Sequence, residues 1–137
     1  MLIDIGVNLS HKRFAHDTRE VLKYARENGV HKLILTGASV IESNRVIDLL
    51  DKYSSEFPRM LYGTVGIHPH SASGFSDASL TDLRSLSAHS SVVAIGETGL
   101  DFYRNLAPKE IQIKCFEAHL SLASEVGLPL FMHEREA

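Results

Sequence analysis

Apolar stretches that read as β-strands recur at a nearly constant interval along this chain. They end near Val7, Thr36, Gly66, Gly96 and Met132, at steps close to the roughly 30 residues of one β-α unit. The spacing predicts strands over 1–7, 32–36, 60–66, 92–96 and 129–132. Helices are expected between them. Asp17 with Glu20, and Ser39 with Glu42, have capping-box spacing and open helices over 17–28 and 39–50. Leu80, Leu83 and Leu86 mark a third over 79–88. Pro108, suited to a first helical position, opens a fourth that Gly127 stops. Alternation this regular leaves two architectures, a doubly wound open sheet or the rungs of a (β/α)₈ barrel. In either one the strands run parallel, and their carboxyl ends share the face on which sites are built.

The stretch Val92-Val93-Ala94-Ile95-Gly96 is apolar without interruption, as in a strand buried on both sides. It passes directly into Glu97-Thr98-Gly99, so a carboxylate between glycines is aimed from a strand end into the space above the sheet. At 137 residues the chain is one unit with no linker or low-complexity break. Its net charge of −3 argues against a protein held to nucleic acid by bulk electrostatics, so such contact has to be local or carried by a metal. The single cysteine, Cys115, excludes an internal disulfide and fits a reducing compartment. Met1-Leu2-Ile3 runs straight into Asp4, unlike a signal peptide, and no apolar run approaches membrane-spanning length. A cytoplasmic protein without a membrane partner is expected.

The strand ends carry the chemistry. Asn8, Ser10 and His11 follow the first; Gly66-Ile67-His68-Pro69-His70 the third; Glu97 the fourth; His133-Glu134-Arg135 the fifth. The second offers only Thr36, Gly37 and Ser39. A single loop histidine needs no ligand to explain it. Three histidines and a glutamate, all at strand carboxyl ends, can converge as a nitrogen and oxygen donor set suited to Zn²⁺, Mn²⁺ or a similar ion, with Mg²⁺ tolerated by the carboxylate. His31 and His89 precede strands and fall on the opposite face, His16 lies near a helix start, and His119 is mid-helix; these four read as structural or solvated.

Four segments, Ile3-Asp4-Ile5-Gly6-Val7-Asn8-Leu9, Gly66-Ile67-His68-Pro69-His70, Gly96-Glu97-Thr98-Gly99-Leu100-Asp101-Phe102 and Pro129-Leu130-Phe131-Met132-His133-Glu134-Arg135, resemble successive signatures of the TatD family, in order and across the whole chain. The resemblance implies a TIM barrel of the metallo-dependent hydrolase type, here with about five β/α units. It also implies a divalent-metal phosphodiesterase acting from DNA ends. Glu97 and His133 would be metal ligands, His68 would lie beside the metal and the scissile phosphate, and Arg135 would be the matching arginine after strand five. Mg²⁺ is the preferred ion, with Mn²⁺ and Zn²⁺ as alternatives. Many members carry His-x-His on strand one, where this chain has Gly6 and Asn8, so it is similar to the TatD-like branch that lacks the pair. The family continues for about as many residues again, with a further His and Asp ligand. The chain is therefore expected to be the N-terminal part of a barrel, inactive alone, with open sheet edges that favour self-association.

The chemistry itself is simple to state. Phosphodiester hydrolysis needs charge neutralised on the phosphoryl oxygens and a hydroxide near neutral pH, and a divalent ion does both. Glu97 could hold that ion, with His133 fixing its geometry and His68 donating to a phosphate oxygen or the leaving group. His70 and Asn8 stand as substrate-binding or supporting residues. Arg135 could clamp phosphate or form a structural ion pair, and Asp101 could orient a ligand or simply make a turn. Two other classes stay open: a small-molecule metallohydrolase of the amidohydrolase kind, and a non-catalytic half-barrel.

Overall fold

The computed structural model describes residues 2–137; Met1, assigned above to the first strand, lies outside the described residues. Five strands, β1 (Leu2–Val7), β2 (Val30–Leu35), β3 (Leu61–Val65), β4 (Val92–Asp101) and β5 (Leu130–Arg135), alternate with four α-helices, α1 (Thr18–Glu27), α2 (Val40–Tyr53), α3 (Asp77–Ser87) and α4 (Lys109–Val126). Every neighbouring pair is parallel, in the order β1-β2-β3-β4-β5. This is the α/β half-barrel expected, five rungs of a TIM-type (β/α)₈ barrel.

The core lies between sheet and helices. Leu22, Leu35, Leu50 and Phe57 form one buried cluster; Val65, Leu83, Ile95 and Leu122 belong to a second. Each such side chain contributes about 1.5–3 kcal/mol by leaving water. Val65 and Ile95 both face the helices rather than the inner side of the sheet, Val65 by the simple alternation of β3. A bulge shifts the register from Gly63↔Val92 to Thr64↔Ala94 and reverses the alternation beyond it. Ile95 thereby turns toward the helices, and the inner face is lined instead by Ile3, Ile34, Tyr62 and Val93.

Element ends differ from the sequence pattern where partners were not visible in it. β4 does not stop at Gly96 but runs to Asp101, because Thr98–Asp101 pair with Met132–Arg135 of an equally extended β5. Asp17 is an N-cap without a side-chain cap bond, and the Thr18 hydroxyl donates to the Phe14 carbonyl instead. Ser39 does cap α2, accepting from the Glu42 amide at 3.1 Å. Helix α3 begins earlier than expected, at Asp77, because Ser76 and Ser79 form the reciprocal capping box. Pro108 is the N-cap of α4 rather than its first residue.

Candidate metal centre

Residue 68 follows β3 and opens a 3-10 turn over Pro69–Gly74, whose N-cap is His68 itself. Its Nδ1 accepts the His70 amide at 3.1 Å, which leaves Nε2 as the protonated nitrogen of the neutral ring, 3.7 Å from Glu97 Oε1. His133, on β5, has Nδ1 3.4 Å from the same Glu97 oxygen and Nε2 3.1 Å from Asp101 Oδ2. His70 Nε2 lies 2.6 Å from that Asp101 oxygen. One nitrogen from each of His68, His70 and His133 fits within 4.8 Å of the others. Three imidazoles and two carboxylates thus converge above the ends of β3, β4 and β5.

Asp101 is the hub. It is 0% exposed, and its Oδ1 accepts the Arg104 amide at 2.8 Å. Burial by itself would raise its carboxyl pKa. Hydrogen bonds from His70, the Arg104 amide and His133 outweigh burial and hold the group well below the ordinary carboxylate range. His68 moves the other way for a base: burial first, then the neighbouring His70 and His133, lower it to about 4 against the opposing pull of Asp101. The site therefore presents a neutral His68 near an anionic Asp101 that His70, His133 and the Arg104 amide hold in place. A borderline or hard divalent cation matches this mix of imidazole nitrogen and carboxylate oxygen, and Glu97, on two neighbouring imidazoles, stands where a cation would relieve its charge.

The backbone beneath is held by elements that offer no ligand. The Glu97 amide donates to the Gly37 carbonyl at 2.9 Å and the His68 amide to Ala38 at 2.9 Å, so the end of β2 fixes both strand ends. The Ser43 hydroxyl accepts the Gly66 amide at 3.1 Å. A Cβ on Gly66 would sit 2.6 Å from the Gly96 Cα, so the two strands approach as only glycine permits. Gln112 accepts the Asp101 amide at 2.8 Å and donates to the Asp101 and Ala107 carbonyls, clamping the loop after β4. His119 is structural: buried on α4, its Nε2 accepts the Ile67 amide at 3.0 Å and its Nδ1 donates to the Cys115 carbonyl. Gln112 and Ser43 went unrecognised in the sequence; their only signal is a polar side chain on the buried face of a helix.

Two expected residues stand apart. Asn8 is exposed at the end of β1, and its carboxamide accepts from Ser10 at 3.4 Å rather than joining the histidines. Arg135 lays its guanidinium over the Tyr103 ring, 4.0 Å from the centroid. His89 pairs with Asp51 at 3.0 Å on the opposite side. A cleft of about 390 Å³ lies between the loop after β1 and α2, lined by Leu9, Lys12, Arg45 and Lys52 among others, and contains none of the clustered histidines.

Comparison with known proteins adds the following. The family model described as TatD related DNase matches residues 3–137. A 3'-5' ssDNA/RNA exonuclease TatD from Erwinia tasmaniensis is 43% identical over 136 residues, covering 99% of this chain and 51% of the relative. A protein of the same name from Edwardsiella piscicida is 40% identical with the same coverage. The solved structure of a TatD family hydrolase from Entamoeba histolytica superposes with a TM-score of 0.91 at 29% identity, covering 98% of this chain and 50% of that one. An uncharacterized amidohydrolase from Saccharomyces cerevisiae gives 0.87 at 28% identity, covering 98% and 48%. The chain spans about half the length of the curated relatives it matches. Among the described residues no helix is long and apolar enough to cross a membrane.

Proposed function

The chain belongs to the TatD related DNase family, and from that premise we propose that residues 1–137 form the N-terminal part of a divalent-metal-dependent nuclease that hydrolyses phosphodiester bonds from the ends of single-stranded DNA. The observation that supports this most directly is the convergence of His68, Glu97 and His133 over a buried Asp101. Relatives named 3'-5' ssDNA/RNA exonucleases support the nucleic-acid substrate, the 3' end as the point of attack, and RNA as a second substrate.

Glu97 and His133 would hold the metal, with Mg²⁺ the preferred ion and Mn²⁺ or Zn²⁺ able to replace it. Bound there, a divalent ion supplies charge neutralisation at the phosphoryl oxygens and an activated water near neutral pH. Asp101 accepts from His133 Nε2 and so orients the imidazole that faces Glu97. His68, neutral at pH 7 with its proton on Nε2, donates a hydrogen bond to a phosphate oxygen or the leaving oxygen and keeps its proton. His70, locked on Asp101 at 2.6 Å, keeps that carboxylate from turning away. Gly6 and Asn8 provide no imidazole on β1, which favours a nuclease of this branch over a carbonyl-hydrolysing binuclear centre. The open edge of β1 and the uncovered inner face, exposing Leu2, Ile3 and Ile5, favour self-association of the chain when it stands alone.

The test is Glu97→Ala in the full-length protein. Mg²⁺-dependent release of nucleotides from single-stranded DNA should be abolished while the circular dichroism spectrum is unchanged. A variant that keeps near-wild-type rates would sink the assignment.

A further inference from the structure

The loop that follows Asp101 carries an aromatic side chain with no part in the chemistry described so far. Tyr103 is 57% exposed, although it stands two residues from a carboxylate that is wholly buried. Arg135 covers one face of its ring at 4.0 Å, within stacking distance for a planar guanidinium. The pair is anchored to the site by backbone. Asp101 pairs with Arg135 across β4 and β5, the Phe102 amide donates to the Arg135 carbonyl at 3.0 Å, and the Arg104 amide donates to Asp101. Gln112 fixes the same loop from below through Asp101 and Ala107. An exposed ring on a backbone this well fixed is preorganised rather than adrift.

Two cations meet aromatic rings here, Arg135 over Tyr103 and Lys109 4.5 Å over Phe102, with the exposed carboxylates Glu110, Glu134 and Glu136 close by in sequence. A guanidinium stacked on an exposed ring suits a polyanion that also offers flat π-faces. A duplex keeps its bases stacked on one another, so only an unpaired strand has a base free to use such a surface.

We propose that Tyr103, with Arg135 stacked on it, is a base-stacking platform that holds a nucleobase of single-stranded nucleic acid beside the His68–Glu97–His133 cluster. This rests on the nuclease reading above and deepens it by assigning a substrate subsite. Because every base has a π-face, the platform is sequence-tolerant, and its role is to hold the strand end in register with the reacting phosphate. Tyr103 is a positioning residue here, not a catalytic one.

The test measures, in the full-length protein and in Mg²⁺, fluorescence-anisotropy binding of a labelled oligothymidylate of about 15 nucleotides carrying 3'-terminal phosphorothioate links, and of the same strand made abasic at its 3'-terminal nucleotides. Tyr103→Leu should weaken binding of the intact strand about tenfold, as expected for one lost base–aromatic stack, and Tyr103→Phe should stay within about twofold of wild type. On the abasic strand wild type and Tyr103→Leu should bind alike. Equal affinity of Tyr103→Leu and wild type for the intact strand, or an equal loss on the abasic strand, overturns the platform while leaving the nuclease reading in place. Failure of the wild-type protein to bind either strand overturns the nuclease reading, and the platform with it.

Discussion

Strands β1 and β4 are both runs of apolar residues leading to a strand end, yet the fold treats them in opposite ways. In β4 seven of ten positions are buried; in β1 none is, and Leu2 and Ile5 are 62% and 58% exposed. Composition does not separate them. Neighbours do: β4 has β3 and β5 on its two edges and α4 packed across it, while among the described residues β1 pairs only with β2. A strand fixed on both edges has a backbone that can hold side chains to a fraction of an ångström. The clustered site stands over β3, β4 and β5, and Asn8, at the end of the loosely held strand, is outside it.

That contrast can be broken from either end. The largest effect is expected at Gly99 of β4, where φ is +141° and a Cβ would collide with the His133 carbonyl. Gly99→Ala should cost about 3 kcal/mol or more in urea unfolding, from strain and overpacking together, by forcing apart the seam that carries the site. A loss below about 1 kcal/mol would mean the seam can relax. His133→Ala should weaken divalent-metal affinity by about ten- to a hundredfold in calorimetry; unchanged affinity removes it from the ligand set.

His119 sharpens the comparison through pH. Burial lowers its pKa from the usual 6.5, with the Cys115 carbonyl opposing, so the folded chain holds it neutral. The unfolded chain takes up a proton below pH 6.5 that the folded one resists. The sign follows: stability is full above about pH 6.5 and declines as pH falls, by at most about 1.4 kcal/mol per pH unit from this group. His119→Gln should flatten the dependence of the urea midpoint between pH 7 and 5.5; an unaltered slope assigns the dependence elsewhere. The smallest effect belongs to β1. Ile5→Ser should change unfolding by no more than about 0.5 kcal/mol, while shifting sedimentation toward smaller species if the open face drives association. A large loss of stability would show that β1 is buried in solution.

Much of the architecture was legible because β-α units of near-constant length leave few alternatives. The parallel order and the common face for His68, Glu97 and His133 follow from that spacing. The length of β4 did not, since Gly-Glu-Thr-Gly reads as a loop until β5 pairs with it. Nor did the side taken by Ile95, which turns on a single bulged residue. Asp101 reads equally as a turn residue or a ligand support; only its contacts with His70, 31 positions away, and His133, 32 away, make it the centre of a buried network.

By itself, then, the sequence determined which residues stand at strand carboxyl ends, because periodicity and strand polarity are local properties written along the chain. Tertiary structure decided what those residues touch. A hydrogen bond such as that from the Ile67 amide to His119 joins groups 52 positions apart, and no local pattern specifies such a partner. The same holds for the stacking of Arg135 on Tyr103 and for the exposure of β1, which depend on elements brought alongside only when the sheet has formed.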